Sequence, residues 1–155
     1  MSALDPDDIR GWQRLSDSIT TSGCLTPADP ARLAAIGVRH VINLALDEHP
    51  EALAGEAEQL AHAGIGYSHI PVPFDAPGEP HFAAFVAALD AEESPVHVHC
   101  IMNWRVSAFF HRLHRLQGMD AARADALMQV QWDPRRSDDP RAAVWAAFLG
   151  ADDNR

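Results

Sequence analysis

The chain has 155 residues, of which 47% are hydrophobic and 22% charged, values typical of one globular domain. Its formal net charge is −10 at pH 7, and all 12 basic residues are scattered arginines. This balance disfavours nucleic acids and anionic membranes as partners. The chain contains no apolar run of about 18 residues or more and begins with acidic and polar residues, so we expect a cytoplasmic protein without a membrane span.

The first half of the chain alternates between helical and strand patterns. The predicted elements are a helix from Asp29 to Gly37, a strand at 38–45, a helix at 51–63 and a strand at 67–72. Asp29 is typical of an N-cap and Pro30 of a first helical residue, whereas Gly37 ends the helix. The apolar run at 38–45 suits a strand buried in a parallel sheet.

The second half begins with a proline-rich loop at 71–78. It is followed by a helix with Phe82, Phe85, Val86 and Leu89 on one face, a strand at 95–99, a helix from about Trp104 to Gly118, a helix capped by Asp120 and a helix starting at Asp139. This order predicts an α/β fold of three layers, with a central, mostly parallel sheet of four to five strands and helices on both faces. Ligands of such folds bind beyond the carboxyl ends of the strands.

Cys100 lies at such a strand end, in the segment His99-Cys100-Ile101-Met102-Asn103-Trp104-Arg105. The following helix N-terminus and its backbone N–H groups favour the thiolate form of a cysteine. The same N–H groups and the fork of Arg105 form a cradle for a phosphate or sulfate. Asn103 stands where such a turn needs a positive φ. The alternatives are an inert buried thiol for Cys100 and an ordinary surface position for Arg105.

Other polar residues near this loop have two interpretations each. Asp75, on the loop after the strand at 67–72, is either a general acid or an ordinary turn carboxylate. Trp104 either faces the substrate or packs against a neighbouring helix. We expect His99 to orient the loop by hydrogen bonding.

The remaining histidines and the second cysteine give weaker signals. His97 and His99 alternate along a strand, and His111 and His114 share a helix face, but no carboxylate stands at metal-ligand spacing, so no metal site is predicted. Cys24 has no basic neighbour, and we interpret it as structural. With two cysteines in the chain, a disulfide framework is not expected.

The strand, His-Cys loop, arginine and helix together resemble the protein tyrosine and dual-specificity phosphatase superfamily. Residues 9–149 more closely resemble the bacterial tyrosine-phosphatase-like proteins that are related to the N-terminal domain of β-lactamase-hydrolase-like proteins. The segments that carry this resemblance are Thr21-Ser22-Gly23 with the following Thr-Pro turn, Val41-Ile42-Asn43-Leu44-Ala45, His69-Ile70-Pro71-Val72, the Cys100 loop, Trp132-Asp133-Pro134 and Trp145.

The resemblance implies a single phosphatase-like domain over residues 1–155 that hydrolyses a phosphate monoester on a small molecule or a phosphoprotein. Cys100 would attack phosphorus and form a phosphocysteine, while Arg105 and the amides of the loop hold the phosphoryl oxygens. An aspartate would protonate the leaving group, and Ser107 would donate a hydrogen bond to the thiolate. No metal or other cofactor is implied. Because the chain is acidic, a small molecule is favoured over an acidic phosphopeptide, and the sequence gives no signal for an oligomeric state.

The loop departs from the superfamily pattern, in which five residues separate the cysteine from the arginine and Ser or Thr follows directly. Here four residues separate Cys100 from Arg105, and Val106 precedes Ser107. In a gapless alignment, Val106 takes the usual arginine position and Arg105 points about 100° away if the segment is helical. Alternatively, the loop is one residue shorter. The general acid also differs, since the family aspartate corresponds to Pro73, two positions before Asp75.

Two other functions are compatible with this spacing. A cysteine and an arginine separated by four residues resemble the active loop of single-domain rhodaneses, which transfer sulfur through a cysteine persulfide. A non-catalytic phosphate-binding pseudophosphatase would keep the cradle without turnover. The His99-Cys100 pair and the flanking segments favour the metal-independent cysteine phosphatase.

Overall fold

The computed structural model describes residues 4–91 and 93–150, in which a five-stranded sheet lies between two layers of helices. The elements in chain order are β1 (Gln13–Arg14), β2 (Ile19–Ser22), α1 (Asp29–Ala35), β3 (His40–Asn43), α2 (Glu56–His62), β4 (Gly66–His69), α3 (Glu79–Ala91), β5 (Val96–His99), α4 (Trp104–Leu116), α5 (Ala121–Gln129), a 3-10 turn (Pro134–Arg136) and α6 (Ala142–Gly150). The sequence pattern does not assign β1 and β2 to residues.

The strands are ordered β1-β2-β5-β3-β4 across the sheet. Only the β1–β2 pair is antiparallel, and the other three pairs are parallel. The predicted α/β class with a mostly parallel sheet is therefore confirmed. None of the helices in these two described ranges has the length and hydrophobicity needed to cross a bilayer.

Two apolar clusters lie on opposite faces of the sheet because successive strand side chains point in opposite directions. Val41 packs in the smaller cluster, with Leu33 of α1 and Leu60 of α2. The next residue, Ile42, packs in the larger cluster. That cluster includes Phe85 of α3, Phe109 of α4, Met128 of α5 and Trp145 of α6. Helices α1 and α2 thus cover one face, and α3 to α6 cover the other.

Several predicted boundaries are wrong by a few residues. The helix predicted at 51–63 begins at Glu56, because Gly55 has a φ of 65°, a left-handed conformation that a helix interior does not accept. The strand predicted at 67–72 ends at His69, since Pro71 has no N–H for the ladder. The N–H of Val72 still donates to the Leu44 carbonyl at 3.0 Å, so this segment runs on beside the end of β3.

The caps also differ in part from the prediction. Asp120 caps α5 as predicted and accepts the N–H of Arg123 at 2.8 Å. Asp29, predicted as a cap, is instead the first residue of α1, and its carboxylate accepts the N–H of Thr26 at 2.7 Å. The last helix begins at Ala142 rather than at Asp139, which lies in the preceding turn, where its carboxylate accepts both the backbone N–H and the Nε of Arg141.

Candidate active site

The carboxyl ends of four parallel strands meet at one edge of the sheet. His99 of β5 is in register with Ser22 of β2 and Asn43 of β3, and Asn43 is in register with His69 of β4. The loops that follow these strands therefore converge, as they do at the ligand-binding edge of α/β folds. Cys100 lies at this edge, directly after β5, as predicted.

Cys100 is fully buried, and its N–H donates to the Ser22 carbonyl at 3.3 Å. Three loop residues separate it from α4, which begins at Trp104 and runs for 13 residues. The amides of the first turn of this helix and the positive end of its dipole face the loop. The environment thus stabilises negative charge near the thiol.

Asn103 provides the sharp turn between the loop and α4. Its φ is 67°, which confirms the predicted positive φ. No other non-glycine residue in the described part of the chain has a positive φ. Its side-chain amide donates to the Gly11 carbonyl at 2.7 Å and to Thr21 Oγ1 at 3.0 Å. These bonds attach the loop to the β1–β2 hairpin, so the conformation of the cradle depends on residues far away in sequence.

Arg105 is the second residue of α4, and it is nearly buried, with 6% of its surface exposed. Its Nη1 donates to the Val72 carbonyl at 2.8 Å, and its guanidinium carbon lies 5.7 Å from the centroid of the Phe74 ring. Arg105 lines the same cavity as Cys100. The alternative in which Arg105 points away from the cavity is therefore wrong.

Val106 and Ser107 face away from this cavity. Val106 is fully buried in the larger apolar cluster. The Ser107 hydroxyl donates to Asn103 Oδ1 at 3.2 Å, and the residue lies beside Thr21 and Leu127 on the other side of the loop. The expected hydrogen bond from Ser107 to the Cys100 sulfur is thus not formed, because Ser107 instead stabilises the turn at Asn103.

His99 orients the loop through both ring nitrogens. Its Nδ1 lies 3.2 Å from the Cys100 carbonyl and its Nε2 lies 2.6 Å from Glu56 Oε2, and both side chains are buried. The carbonyl can only accept, so Nδ1 carries a proton. The sequence reasoning did not identify Glu56, although it stands on the apolar face of α2, four residues before the buried Leu60. A carboxylate on the apolar face of a helix needs a buried partner, and this position therefore indicates a role for Glu56.

The segment after β2 supports the loop from below. The N–H of Cys24 donates to the Ile101 carbonyl at 2.9 Å. A Cβ on Gly23 would overlap this same carbonyl oxygen, so residue 23 must be glycine for the two segments to approach. Burial raises the pKa of the half-buried Cys24 thiol, so it is kept protonated.

A cavity of about 430 Å³ opens above Cys100. Its lining residues are Leu46, Glu48, His49, Phe74, Asp75, Cys100, Ile101, Met102, Trp104, Arg105 and Arg141. Of the predicted site residues, His99, Asn103 and Ser107 do not line it, and the other six do. Asp75 is exposed on the loop after β4, within electrostatic range of Arg141. Arg141 was not identified from the sequence, because nothing in its local pattern points towards Cys100.

Aromatic side chains form one wall of the cavity. The rings of Trp104 and Trp132 stack at 4.7 Å, and Trp132 Nε1 donates to the Trp104 carbonyl at 3.0 Å. Phe74 packs against both rings, and its carbonyl accepts Trp145 Nε1 at 2.6 Å. Trp104 thus lines the cavity and packs against Trp132 and Phe74.

The His97 and His111 side chains have protein partners. His97 lies 2.8 Å from both Thr20 Oγ1 and Ser22 Oγ, and burial holds its pKa well below the ordinary value. His111 Nε2 lies 2.7 Å from Asp125. Within residues 4–91 and 93–150, no three His, Cys, Asp or Glu side chains are grouped as a metal ion requires.

A parallel α/β sheet with a buried cysteine before the N-terminus of a helix places the chain in the tyrosine-phosphatase-like class of folds. Residues 11–113 match the family model of the phosphatase-like domain of β-lactamase hydrolase-like proteins, and the chain belongs to this family. The predicted resemblance is confirmed. No curated protein shows significant sequence similarity to the chain.

Solved structures agree with this assignment. A candidate phosphatase from Shewanella putrefaciens CN-32 has a TM-score of 0.78 and 28% identity, covering 93% of this chain and 89% of that chain. TpbA of P. aeruginosa, in complex with phosphotyrosine, has a TM-score of 0.67 and 19% identity, covering 97% and 95%.

The catalytic core of the S. cerevisiae PP-IP phosphatase SIW14, in complex with citrate, has a TM-score of 0.69 and 12% identity, covering 92% of this chain and 88% of that chain. The similarity to TpbA and SIW14 establishes the fold alone. Together, family and fold support a phosphatase function and do not favour the rhodanese alternative.

Proposed function

We propose that this protein is a cysteine-dependent phosphatase that hydrolyses a phosphate monoester through a phosphocysteine intermediate. The observation that carries the proposal is that Cys100, Arg105 and Asp75 line one cavity, although they come from the loop after β5, from α4 and from the loop after β4. A nucleophile, a bidentate cation and an acid in one cavity are the groups that phosphoryl transfer to cysteine requires.

In the first step, the Cys100 thiolate attacks phosphorus. The S–P bond forms while the bond between phosphorus and the leaving oxygen breaks, and Asp75 donates its proton to that oxygen. In the second step, the Asp75 carboxylate takes a proton from a water molecule whose oxygen attacks phosphorus. The S–P bond then breaks, the electron pair returns to sulfur, and inorganic phosphate leaves.

Arg105 and the amides of the loop bind the phosphoryl oxygens in both steps. Within the described part of the chain, Arg105 donates one hydrogen bond, from a proton of Nη1 to the Val72 carbonyl. The Nε and Nη2 protons are left for a bidentate contact with phosphate. The bond to Val72 fixes the guanidinium before substrate arrives.

The substrate we propose is a phosphorylated small molecule. A cavity of about 430 Å³ has the volume of a small-molecule site, and its aromatic wall suits an aryl group. The phosphotyrosine bound by TpbA is a ligand of this class. A phosphoprotein substrate would present its phosphorylated side chain to the same cavity.

The test is release of phosphate from 4-nitrophenyl phosphate by the wild type, the Cys100→Ser variant and the matched Cys24→Ser variant. We expect turnover by the wild type and by Cys24→Ser, and none by Cys100→Ser. Turnover that survives in Cys100→Ser contradicts the mechanism. If the wild type is inactive but phosphate raises its melting temperature, the protein is a binding module, and transfer of sulfur from thiosulfate to cyanide would establish the rhodanese alternative.

A further inference from the structure

The chain contains two Asp-Pro-Arg segments, 133–135 and 139–141, that adopt the same local arrangement. In each, the arginine N–H and Nε donate to Oδ1 of the aspartate and Nη2 donates to Oδ2, with all six distances between 2.8 and 3.0 Å. The proline between them restricts the backbone. Each aspartate therefore fixes the direction of a guanidinium two residues later.

The two guanidiniums have different surroundings. Arg135 also contacts the Asp125 carboxylate at 3.0 Å, away from the cavity. Arg141 lies over the Phe74 ring, 4.4 Å from its centroid, and lines the Cys100 cavity. Over residues 4–91 and 93–150, no hydrogen-bond partner takes the Nη1 protons of Arg141. These protons are available to a ligand.

Two guanidiniums lie near the Phe74 ring. Arg105 lies 5.7 Å and Arg141 lies 4.4 Å from the ring centroid, so the two guanidinium carbons are within about 10 Å of each other. Arg105 is buried beside Cys100, whereas the Arg141 side chain is 54% exposed at the mouth. A phosphoryl group at Cys100 thus leaves Arg141 within reach of another group on the same small molecule.

The charges around the cavity restrict what that group is. Glu48 and Asp75 also line the cavity, and the chain has a net charge of −10, so an anion is disfavoured elsewhere in it. Asp139 offsets part of the charge of Arg141, but the Nη1 protons of Arg141 remain free to donate hydrogen bonds in a fixed direction. The N–H groups of the guanidinium that Asp139 leaves free suit an anionic group with two oxygen acceptors, such as a carboxylate or a phosphate.

We propose that Arg141 is a specificity-determining residue that binds a second anionic group, a carboxylate or a further phosphate, on the phosphate-monoester substrate. This inference rests on the proposed function for the position of the phosphoryl group. It narrows the proposed substrate from phosphorylated small molecules in general to those that have a second anionic group.

The test compares binding of the 3- and 4-carboxyphenyl phosphates with their carboxamide analogues, which have the same shape without the charge. Calorimetry on the Cys100→Ser protein measures affinity without turnover. We expect a carboxylate to bind about tenfold more tightly than its carboxamide, the size of effect given by one hydrogen bond to a charged group. Arg141→Gln should remove the preference and Arg141→Lys should keep part of it. The matched Arg135→Gln variant should keep it whole.

Equal affinity for the acid and the amide in the Cys100→Ser protein, a preference that survives in Arg141→Gln, or no binding of either ligand would overturn the inference. A general loss of cavity shape in Arg141→Gln weakens both analogues alike and leaves their ratio unchanged, so it counts against the inference. Failure of the proposed function is a separate result, because it appears as absent Cys100-dependent turnover in the wild type while the preference for the carboxylate remains.

Discussion

The Nε2 atom of His99 lies 2.6 Å from the Glu56 carboxylate, and both side chains are buried beside Cys100. The other ring nitrogen, Nδ1, lies 3.2 Å from the Cys100 carbonyl, so the imidazole joins α2 to the Cys100 loop. Glu56 is therefore a positioning residue that acts on the loop through His99.

Replacing Glu56 with Ala removes the buried partner of His99 Nε2. We expect the free energy of unfolding in urea to fall by about 2 kcal/mol, because a buried ring nitrogen loses its hydrogen-bond partner. Glu58→Ala, on the exposed side of α2, is the control and should unfold like the wild type. Equal stabilities for the two variants would mean that Glu56 does not hold His99 in place.

Replacing Asp75 with Asn tests the general acid through the leaving group. Hydrolysis of phenyl phosphate should fall by about 100-fold or more, because its leaving oxygen needs a proton. Hydrolysis of 2,4-dinitrophenyl phosphate should change little, since that leaving group departs as the anion. Asp90→Asn on α3 is the control. Equal losses on both substrates would assign Asp75 a binding role instead.

Replacing Gly23 with Ala forces the new Cβ against the Ile101 carbonyl, which belongs to the backbone and cannot move without shifting the Cys100 loop. We expect the free energy of unfolding in urea to fall by about 2 kcal/mol, the usual cost of overpacking. In contrast, Gly150→Ala meets no atom within 4 Å, and its stability should be unchanged or slightly higher. Similar stabilities for the two variants would contradict the close packing of Gly23 against the Ile101 carbonyl.

The buried His97 predicts a decrease in stability at mildly acidic pH. Burial lowers its pKa well below 6.5, so it stays neutral in the fold, whereas the unfolded chain binds a proton below about pH 6.5. Stability is therefore highest above this pH and falls as the pH drops towards the folded pKa, by up to about 1.4 kcal/mol per pH unit. Burial lowers the pKa of His114 too, which adds in the same direction.

Urea unfolding between pH 7.5 and 5.5 measures this slope. His97→Gln should reduce it, and His62→Gln, an exposed histidine on α2, should leave it as in the wild type. A slope that His97→Gln does not change would show that other groups cause the pH dependence.

Much of the fold is predicted by patterns that act over short distances. The apolar run at 38–45 gives the buried β3, and the helical spacing of Phe82, Phe85 and Leu89 gives α3. Gly55, Pro71 and the turn at Asp139 shift the ends of elements, because turn conformations and the partners of each carboxylate depend on three-dimensional neighbours. β1 and β2 are too short for a periodic signal and exist through their pairing with other strands.

The sequence by itself determined the residues of the Cys100 loop, the positive φ of Asn103 and the place of the loop at a strand end before a helix, because the local order of strand, turn and helix predicts all three. Tertiary structure alone decided that Arg105 faces the cavity despite its short spacing and that Ser107 turns away. Tertiary structure also places Glu56 beside His99 and Arg141 at the cavity. These contacts join residues that are distant along the chain, and only the packing of β3, β5, α2 and the turn before α6 around one sheet edge sets their distances.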